Sequence, residues 1–516
     1  MIRAYFFNVI LILLGIYGEG MELCFESSFE LRKKADVLVI PCFKKEGSVE
    51  LAVGYGDYKE LVYSLVDLGD FSAKEHEIAL LYDEKHQEKR LMFLGLGQEN
   101  KSTLELLRRS YAEAIKFAMG KKWKSLNVLL PLHSEYSPSE VAYVIAESVL
   151  LTNYHFSLSA KAEKQGHLLE TITLIGDIQS QDKSLEEVSV VVSGVNFARD
   201  LVNDNADTIT PKFLADRALE LGKTYPHLKV KIFDKEEIQK QGMGLFYAVS
   251  RGSSEDPYFI VLSYQGASSL EEHTVFIGKG VTYDTGGLSL KPTSSMETMK
   301  CDMAGAAVVL ATMKVIAELK MPINVSCVIA ATENSIGSRS YKIGDVYQGY
   351  NKTTVEIKNT DAEGRLALAD SLAYVVDQLK PTRMIDLATL TGAAEVALGN
   401  HRSPLFSNDH TLAAEIFQAG EEIGEKMWLM PLDQDYRELI TSKIADLKNS
   451  GSREGSLIFS AMFLKEFVGD IPWAHIDIAG VAFLNKPRYY HTTSATGYGV
   501  RLLIQFLKKS YGKSKS

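Results

Sequence analysis

The chain has 516 residues, more than one hydrophobic core usually holds, and this length predicts two or three domains. Its composition, 46% hydrophobic and 24% charged, is that of a globular protein and excludes a disordered or fibrous one. The net charge of −10 argues against nucleic acid as a partner, because proteins that bind phosphate backbones usually carry a basic excess or stripe.

The two ends of the chain and its cysteines provide indications of the cellular compartment in which the protein works. Residues 1–20 form an apolar extension whose run at 5–16 is too short to span a bilayer, which takes about 20 residues. We expect an upstream start-codon extension or a dispensable leader there, in preference to a working signal peptide. Residues 511–516 are expected to be a basic tail. The four cysteines show no C-x-x-C spacing, which favours reduced thiols in a cytoplasmic protein with no membrane partner.

The first half predicts an N-terminal α/β domain over residues 21–180, because strand and helix patterns alternate. Predicted helices cover 104–123 and 139–152, and Pro41 is expected to end the first strand. The predicted strands are 35–40, 78–82, 90–94, 126–130 and 172–175.

A helical pattern from Leu185 to about Asn203 is predicted to connect the domains over residues 181–205. Residues 206–510 then predict a second α/β domain, with a mixed, mostly parallel sheet flanked by helices. Three of its strands are nearly continuous apolar runs, which indicates burial on both faces. The predicted strands are 258–264, 273–283, 324–331, 384–388 and 474–478, and the predicted helices are 303–319 and 366–378.

Two polar clusters interrupt this second half where strands are predicted to end, the usual place for sites in open α/β sheets. In the first cluster, Lys279 and Asp284 lie near the end of a buried strand, and Asp302 follows just before a helix rich in glycine and alanine. In the second, residues 359–365 read Asn-Thr-Asp-Ala-Glu-Gly-Arg. Its charged residues alternate, so in an extended segment Asp361, Glu363 and Arg365 would share one face.

Charge balance links the two clusters to metal ions. Asp284, Asp302, Asp361 and Glu363 would together carry about −4 if ionised, and burying them unpaired would be prohibitive. Two divalent cations would satisfy them, and beside such cations the amine of Lys279 could be neutral and act as a ligand. Oxygen and amine donors suit Mn²⁺, Mg²⁺ or Zn²⁺. Two ions about 3.5–4 Å apart would hold a hydroxide between them and polarise a carbonyl.

Each of these residues alone has an ordinary structural interpretation, such as a helix cap or a surface lysine. Together, the intact run at 359–365 and the spacing of Lys279, Asp284, Lys291 and Asp302 resemble the leucyl aminopeptidase family, also called the cytosol aminopeptidases. The resemblance covers about residues 190–505 well and extends to the first half only as an architectural match.

The resemblance implies a metal-dependent aminopeptidase that hydrolyses the N-terminal residue of peptides, with leucine and similar apolar residues preferred. It implies two divalent ions per subunit, Mn²⁺ or Zn²⁺, and a bicarbonate at Arg365 that acts as general base. Lys291 matches the lysine that polarises the scissile carbonyl. The implied metal ligands are Lys279, Asp284, Asp302, Asp361 and Glu363, with Asp284 and Glu363 bridging both ions.

The resemblance also implies the peptide-binding residues and the assembly. Met299 and Thr389 match walls of the pocket for the first side chain, while the Leu390 carbonyl and the Gly392 amide match groups that hold the peptide backbone. The family assembles as a homohexamer, a dimer of trimers. The chain departs from the usual family pattern at Thr285, Ala304, Ile343 and residues 455–459.

Other functions fit the sequence less well. Gly95-Leu96-Gly97 follows a strand, but Asn100 stands where the dinucleotide fingerprint needs a third glycine. A DNA-binding role conflicts with the acidic charge. No HExxH or G-x-S-x-G motif is present for a zincin or a serine hydrolase. A catalytically inactive scaffold conflicts with the intact set of seven functional positions.

Overall fold

The structure is a computed structural model, and it describes residues 10–13, 21–159, 168–177, 183–267 and 272–513. The described chain divides into two compact units. Unit 1 runs to Ser193 and also contains Lys486–Thr493, whereas unit 2 runs from Gly194 to Asn485 and continues from Ser494. The predicted class of two α/β domains is confirmed.

Unit 1 is built on one mixed sheet in the order β1-β2-β8-β7-β3-β6-β5, with β4 paired to β3. The five strands from β2 to β6 in that order are parallel to one another, and the outer strands β1 and β5 are antiparallel to them. Apart from Ile10–Leu13, the predicted extension 1–20 lies outside the described residues. The strands are β1 (Ile10–Leu13), β2 (Glu22–Glu26), β3 (Val37–Lys45), β4 (Ser48–Leu51), β5 (Ile78–Tyr82), β6 (Arg90–Gly95), β7 (Ser125–Leu129) and β8 (Thr171–Ile175).

Two helices of unit 1, those that start at Leu104 and Pro138, begin at side-chain caps. The Ser137 hydroxyl and the Glu140 carboxylate form a reciprocal capping box at the start of the third helix, with Pro138 at its first position. The long helix predicted from Leu185 is present, and the division between the units falls inside it. The helices are α1 (Lys59–Asp67), α2 (Leu104–Gly120), α3 (Pro138–Thr152) and α4 (Lys183–Asn203).

The prediction that Pro41 ends its strand is wrong, because β3 continues through it to Lys45. The Cys42 carbonyl accepts from the amide of Leu96, the residue that follows β6, so the backbone groups of Pro41, one residue earlier, point away from β6. On that other side β7 pairs with β3 only as far as Val39, and β4 pairs with it only from Cys42 onward. The missing proline N–H therefore interrupts no ladder.

The glycines that suggested a dinucleotide site pack against their own chain. A Cβ added at Gly95 would collide with the Lys74 carbonyl oxygen. One added at Gly97 would lie 2.7 Å from Cγ of Glu75. Close packing after β6 therefore accounts for both glycines.

Unit 2 contains a mixed eight-stranded sheet in the order β17-β16-β19-β15-β11-β12-β10-β9 and a small sheet in the order β13-β14-β18. The predicted strands are all present, and the central ones are parallel. The strands are β9 (Leu228–Phe233), β10 (Tyr258–Gln265), β11 (Thr274–Asp284), β12 (Asn324–Asn334), β13 (Val346–Gln348), β14 (Thr354–Glu356), β15 (Arg383–Ala388), β16 (Ser403–Ser407), β17 (Met427–Leu429), β18 (Leu447–Lys448) and β19 (Trp473–Asp477).

The helices of unit 2 flank the eight-stranded sheet. The last of them, Val500–Lys513, extends into the residues predicted to be a basic tail. The predicted helix 366–378 is present as α10 and a π-helical segment, Val375–Leu379. The helices are α5 (Pro211–Thr224), α6 (Lys235–Lys240), α7 (Gly244–Ser250), α8 (Thr293–Met296), α9 (Ala304–Glu318), α10 (Gly364–Tyr374), α11 (Gly392–Leu398), α12 (His410–Ile423), α13 (Ser456–Lys465) and α14 (Val500–Lys513).

Two glycines bring α9 against the centre of the sheet. A Cβ added at Gly278 of β11 would lie 2.6 Å from the Gly305 carbonyl oxygen, and one added at Gly305 would collide with the Leu387 carbonyl oxygen. This close approach places the residues just before α9 beside the ends of β11 and β15. Over the described ranges, no helix combines the length and apolarity needed to cross a membrane.

Candidate active site

Lys279 is the buried centre of the candidate site, with only 3% of its surface exposed. It lies on β11, and its Nζ is 2.8 Å from Asp302 Oδ1 and 2.9 Å from Glu363 Oε1. The same ammonium donates to the Thr389 carbonyl oxygen at 2.9 Å. Segments distant in sequence therefore converge on one lysine, as the two-cluster prediction requires.

Asp302 and Glu363 reach this lysine from the start of two helices. Asp302 lies in a 3-10 turn, Met299–Met303, that precedes α9, and its Oδ1 also accepts from the Thr389 hydroxyl at 2.8 Å. Glu363 is the N-cap of α10. Both carboxylates are buried, so their orientation is fixed by these contacts.

Asp284 ends β11, and Asn334 connects it to the second cluster. Asp284 Oδ1 accepts from the Gly286 amide at 2.9 Å and from Asn334 Nδ2 at 2.7 Å. The same Nδ2 donates to the Thr360 carbonyl oxygen at 2.9 Å. Sequence reasoning missed Asn334. The parallel pairing of β11 with β12, which sets Asn334 opposite Asp284, is the signal that could have found it.

Lys291 closes the other side of the cluster. Its Nζ lies 2.9 Å from Asp284 Oδ2 and 2.6 Å from Asp361 Oδ1. Carboxylate oxygens of Asp284, Asp361 and Glu363 lie within 4.8 Å of one another, a spacing that suits a shared cation.

Residues 361–365 are not extended, so the shared face that an extended segment would give their charged side chains does not form. Asp361 lies in a turn, and Glu363 has helical backbone angles, φ −75° and ψ −38°. Arg365 is in the first turn of α10. Asp361 and Glu363 converge because the chain turns into the helix.

The charges of the site are unbalanced. Lys279 contacts Asp302 and Glu363, and Lys291 contacts Asp284 and Asp361, so two ammonium groups face four carboxylates. They can offset at most half of the carboxylate charge. This imbalance is what the sequence-based charge argument predicts.

The pKa shifts reflect this crowding. Burial raises the pKa of Asp302, and burial followed by Glu363 raises the pKa of Asp284. Burial, Asp284 and Glu363 raise the pKa of Asp361 to about 6. Burial also acts to raise the pKa of Glu363, but Lys279 and Lys291 outweigh it and lower that pKa.

The pKa values of Lys279 and Lys291 shift in the opposite direction to the pKa of a lysine beside metal ions. Burial acts to lower their pKa values, but the carboxylates outweigh it and raise the pKa of both Lys279 and Lys291. Lys279 is therefore a cation in the protein alone. To act as a neutral ligand it must release a proton when metal binds.

The donor set fits divalent cations. Asp302 Oδ2 and Glu363 Oε2 are buried and accept no hydrogen bond from the part of the chain that the structure describes. Buried acceptors without a partner are costly, and a bound cation is one arrangement that satisfies them. Carboxylate oxygens and an amine are donors that Mn²⁺ and Zn²⁺ accept.

Arg365 is a buried cation next to this cluster, with 6% of its surface exposed. Its Nη1 donates to the Asn449 carbonyl oxygen at 2.6 Å, and its guanidinium carbon lies 5.5 Å from the Phe459 ring centre. Its Nε finds no hydrogen-bond partner among the described residues. Burial lowers its pKa to about 10. The arrangement leaves the guanidinium with donor capacity for a small anion.

The predicted peptide-binding segment follows β15 and is tied to the same cluster. Thr389 donates its hydroxyl to Asp302 and its carbonyl accepts from Lys279. The Leu390 amide donates to Asp477 Oδ1 at 3.1 Å, and Gly392 begins α11. Met299, half-buried, opens the turn that carries Asp302.

Residues 196–504 match the catalytic domain of the cytosol aminopeptidase family, and residues 39–160 match its N-terminal domain. The chain belongs to the cytosol aminopeptidase family. Membership makes it an aminopeptidase, a hydrolase of a metal-dependent family, and the resemblance drawn from the sequence is confirmed.

Relatives support this family across almost the whole chain. A probable cytosol aminopeptidase of Protochlamydia amoebophila is 47% identical over 493 residues, which cover 95% of this chain and 99% of the relative. Another, of Chlamydia trachomatis serovar D, is 43% identical over 495 residues with the same coverage.

Two solved structures share the fold. A tomato leucine aminopeptidase mutant has a TM-score of 0.85 at 29% identity and covers 97% of this chain and 99% of its own. The bottromycin maturation enzyme BotP in complex with Mn has a TM-score of 0.82 at 30% identity, with 92% and 99% covered.

Proposed function

We propose that this aminopeptidase removes leucine and similar apolar residues from the N-terminus of peptides, using two divalent ions, Mn²⁺ or Zn²⁺, in cytoplasmic peptide turnover. The observation that carries the proposal is the group of four carboxylates around two ammonium groups, with two buried carboxylate oxygens that lack donors among the described residues. Such a group would be unstable without further positive charge.

We assign the ligands to two ion positions. Asp284 and Glu363 would serve both, which their approach to Asp361 supports. Lys279 and Asp302 would complete the first position, and Asp361 would complete the second with its carboxylate and backbone carbonyl. When bound, two divalent ions supply an activated water and polarise the substrate carbonyl.

Lys291 is the proposed catalytic lysine. It follows the Gly286-Gly287 turn and keeps 15% of its side chain exposed, so its ammonium can reach a substrate. An ammonium directed at the scissile carbonyl oxygen stabilises the negative charge that develops there. Arg365 is proposed to hold bicarbonate, which would supply a general base. Its Nε, which has no hydrogen-bond partner among the described residues, supports this assignment.

The segment after β15 is proposed to orient the peptide. Met299 and Thr389 line the pocket for the first side chain, while the Leu390 carbonyl and the Gly392 amide hydrogen bond to the peptide backbone. Support comes from the anchoring of Thr389 on Asp302 and of Leu390 on Asp477, which fixes the segment relative to the carboxylates.

The test combines metal analysis with a substrate panel. Purified protein should contain two divalent ions per subunit, hydrolyse leucine p-nitroanilide faster than charged aminoacyl analogues, lose activity to a chelator and regain it with Mn²⁺ or Zn²⁺. N-acetyl-leucine p-nitroanilide is the matched control, since its blocked amine should prevent turnover. Activity that survives complete metal removal, or equal turnover of the blocked substrate, would refute the proposal.

A further inference from the structure

Asn449 is a fully buried residue that follows β18 and uses both ends of its amide on one loop. Its Oδ1 accepts from the backbone amides of Lys358 at 2.8 Å and Asn359 at 3.3 Å. Its Nδ2 donates to the carbonyl oxygens of Asn359 at 2.6 Å and Ala362 at 3.3 Å. One side chain therefore fixes the loop that carries Asp361.

The backbone of Asn449 makes two further contacts in the same region. Its amide donates to the Glu356 carbonyl oxygen at 3.1 Å, at the point where β14 ends. Its carbonyl accepts from Arg365 Nη1 at 2.6 Å, the one side-chain hydrogen bond that the described residues give this arginine. Asn449 thus contacts both ends of the loop between β14 and α10.

This loop needs such a support. Between Glu356, which ends β14, and Gly364, which begins α10, the backbone forms no strand and no helix. Yet it must hold Asp361 and Glu363 against Lys279 and Lys291. Catalytic groups have to be placed to within about 0.5 Å, and a loop alone rarely achieves this.

We propose that Asn449 is a positioning residue of the aminopeptidase reaction, which holds the loop 358–362 and the Arg365 guanidinium in one fixed arrangement. The inference rests on the proposed function. Asn449 acts through the carboxylates of the loop and through Arg365.

The test uses Asn449→Ala and Asn449→Asp, the second of which keeps the size and the acceptor end of the amide. Calorimetric titration of the metal-free protein should show Mn²⁺ binding weakened about 10- to 100-fold, as for other groups that orient metal ligands. At saturating Mn²⁺, kcat for leucine p-nitroanilide should fall about 100-fold because the reacting groups are misplaced.

Asn408→Ala is the matched control. Asn408 uses its amide in the same way, accepting from the Trp473 amide at 2.7 Å and donating to the Ile471 carbonyl oxygen at 2.9 Å, at the start of β19. That end of the strand is opposite the carboxylates. Because Asn408 is exposed whereas Asn449 is fully buried, the control should lower the melting temperature less than Asn449→Ala, and it should leave kcat and Mn²⁺ affinity unchanged.

A double variant separates positioning from general destabilisation. If Asn449 acts in part through Arg365, Asn449→Ala and Arg365→Ala should lower kcat less than additively when combined. Mn²⁺ affinity and kcat equal to those of the Asn408→Ala control would overturn the inference while leaving the proposed function intact. An inactive parent protein would overturn the proposed function, and the Mn²⁺ titration would still decide the role of Asn449.

Discussion

Lys291 lies between Asp284 and Asp361 in the protein alone, as a cation whose pKa the carboxylates raise. The same ammonium is proposed to act on the substrate carbonyl. Its flexible side chain and its 15% exposure allow it to turn from the carboxylates toward a substrate. Loss of the Lys291 side chain should therefore lower turnover more than it lowers the amount of bound metal.

Lys291→Ala tests this role. We expect kcat for leucine p-nitroanilide to fall about 100- to 1,000-fold, the cost of removing one group that stabilises the developing negative charge. The metal content, measured by mass spectrometry of the purified protein, should stay at the parent level. Lys212→Ala, which removes an exposed lysine paired with Asp216, is the control and should change neither quantity. A metal-free Lys291→Ala protein would contradict the assignment.

Gly364 has no side chain, and this leaves space for Lys279. It begins α10, and a Cβ added there would lie 2.7 Å from Lys279 Nζ. The absence of a side chain therefore lets the helix start directly above the buried ammonium. Lys279 cannot easily move aside, because Asp302 and Glu363 hold it.

Gly364→Ala should thus displace Lys279 while sparing the backbone. We expect kcat at saturating metal to fall about 100-fold, with a change in melting temperature of only a few degrees. Gly120→Ala is the matched control, since a Cβ there meets nothing within 4 Å. Parent-like turnover in Gly364→Ala would show that Lys279 has room to adjust.

Asp370 connects α10 to α7. It is fully buried and accepts from the amides of Phe246 at 2.9 Å and Tyr350 at 2.8 Å. Burial raises its pKa to about 7, although hydrogen bonds from backbone amides act in the opposite direction. A carboxyl group whose pKa is higher in the folded state than in the unfolded chain contributes stability at low pH and loses it as the pH rises.

Asp370→Asn should therefore change the pH dependence of stability. In the parent, the contribution of Asp370 is complete below about pH 4, its unfolded pKa, and disappears as the pH rises through about 7. The stability of the parent relative to the variant should decrease between about pH 4 and 7, as measured by melting temperatures. Asp446→Asn, at an exposed carboxylate whose pKa is lowered by Thr354, should differ from the parent by a constant amount. A constant difference for Asp370→Asn would contradict the assignment.

For the whole molecule, we expect the homohexamer that the family resemblance implies. Large apolar side chains of unit 2 are exposed in a single copy, including Val396 at 86% and Ile444 at 66%. Contacts between copies would remove some of this surface from water. Light scattering behind size-exclusion chromatography should give roughly 340 kDa, six copies of the 57.2 kDa chain. A mass of one or two chains at all concentrations would contradict the expectation.

The sequence predicted the strands of unit 2 because strands buried on both faces are nearly continuous apolar runs, as in β12. Lys279 and Asp284 could be predicted as site residues because they are charged residues near the end of such a run. Asn334 and Asn449 could not be predicted in this way, because their partners are 50 and 90 positions away. The turn at Asp361 also escaped prediction, since alternating charges fit a strand and a helix entry equally well.

The short segment Lys486–Thr493 belongs to unit 1 although the chain on both sides of it belongs to unit 2. Within unit 1, the ring of Tyr489 lies 4.5 Å from the Arg109 guanidinium carbon, and the Tyr490 hydroxyl donates to Glu105 at 3.2 Å. The main part of unit 1 ends at Ser193, but the unit also needs this segment, which the ribosome makes some 300 residues later. At ordinary rates of synthesis this delay is about 15–60 s. A nascent N-terminal unit would lack the partners of Glu105 and Arg109 on this segment throughout that interval, so its completion depends on residues 486–493 having left the ribosome.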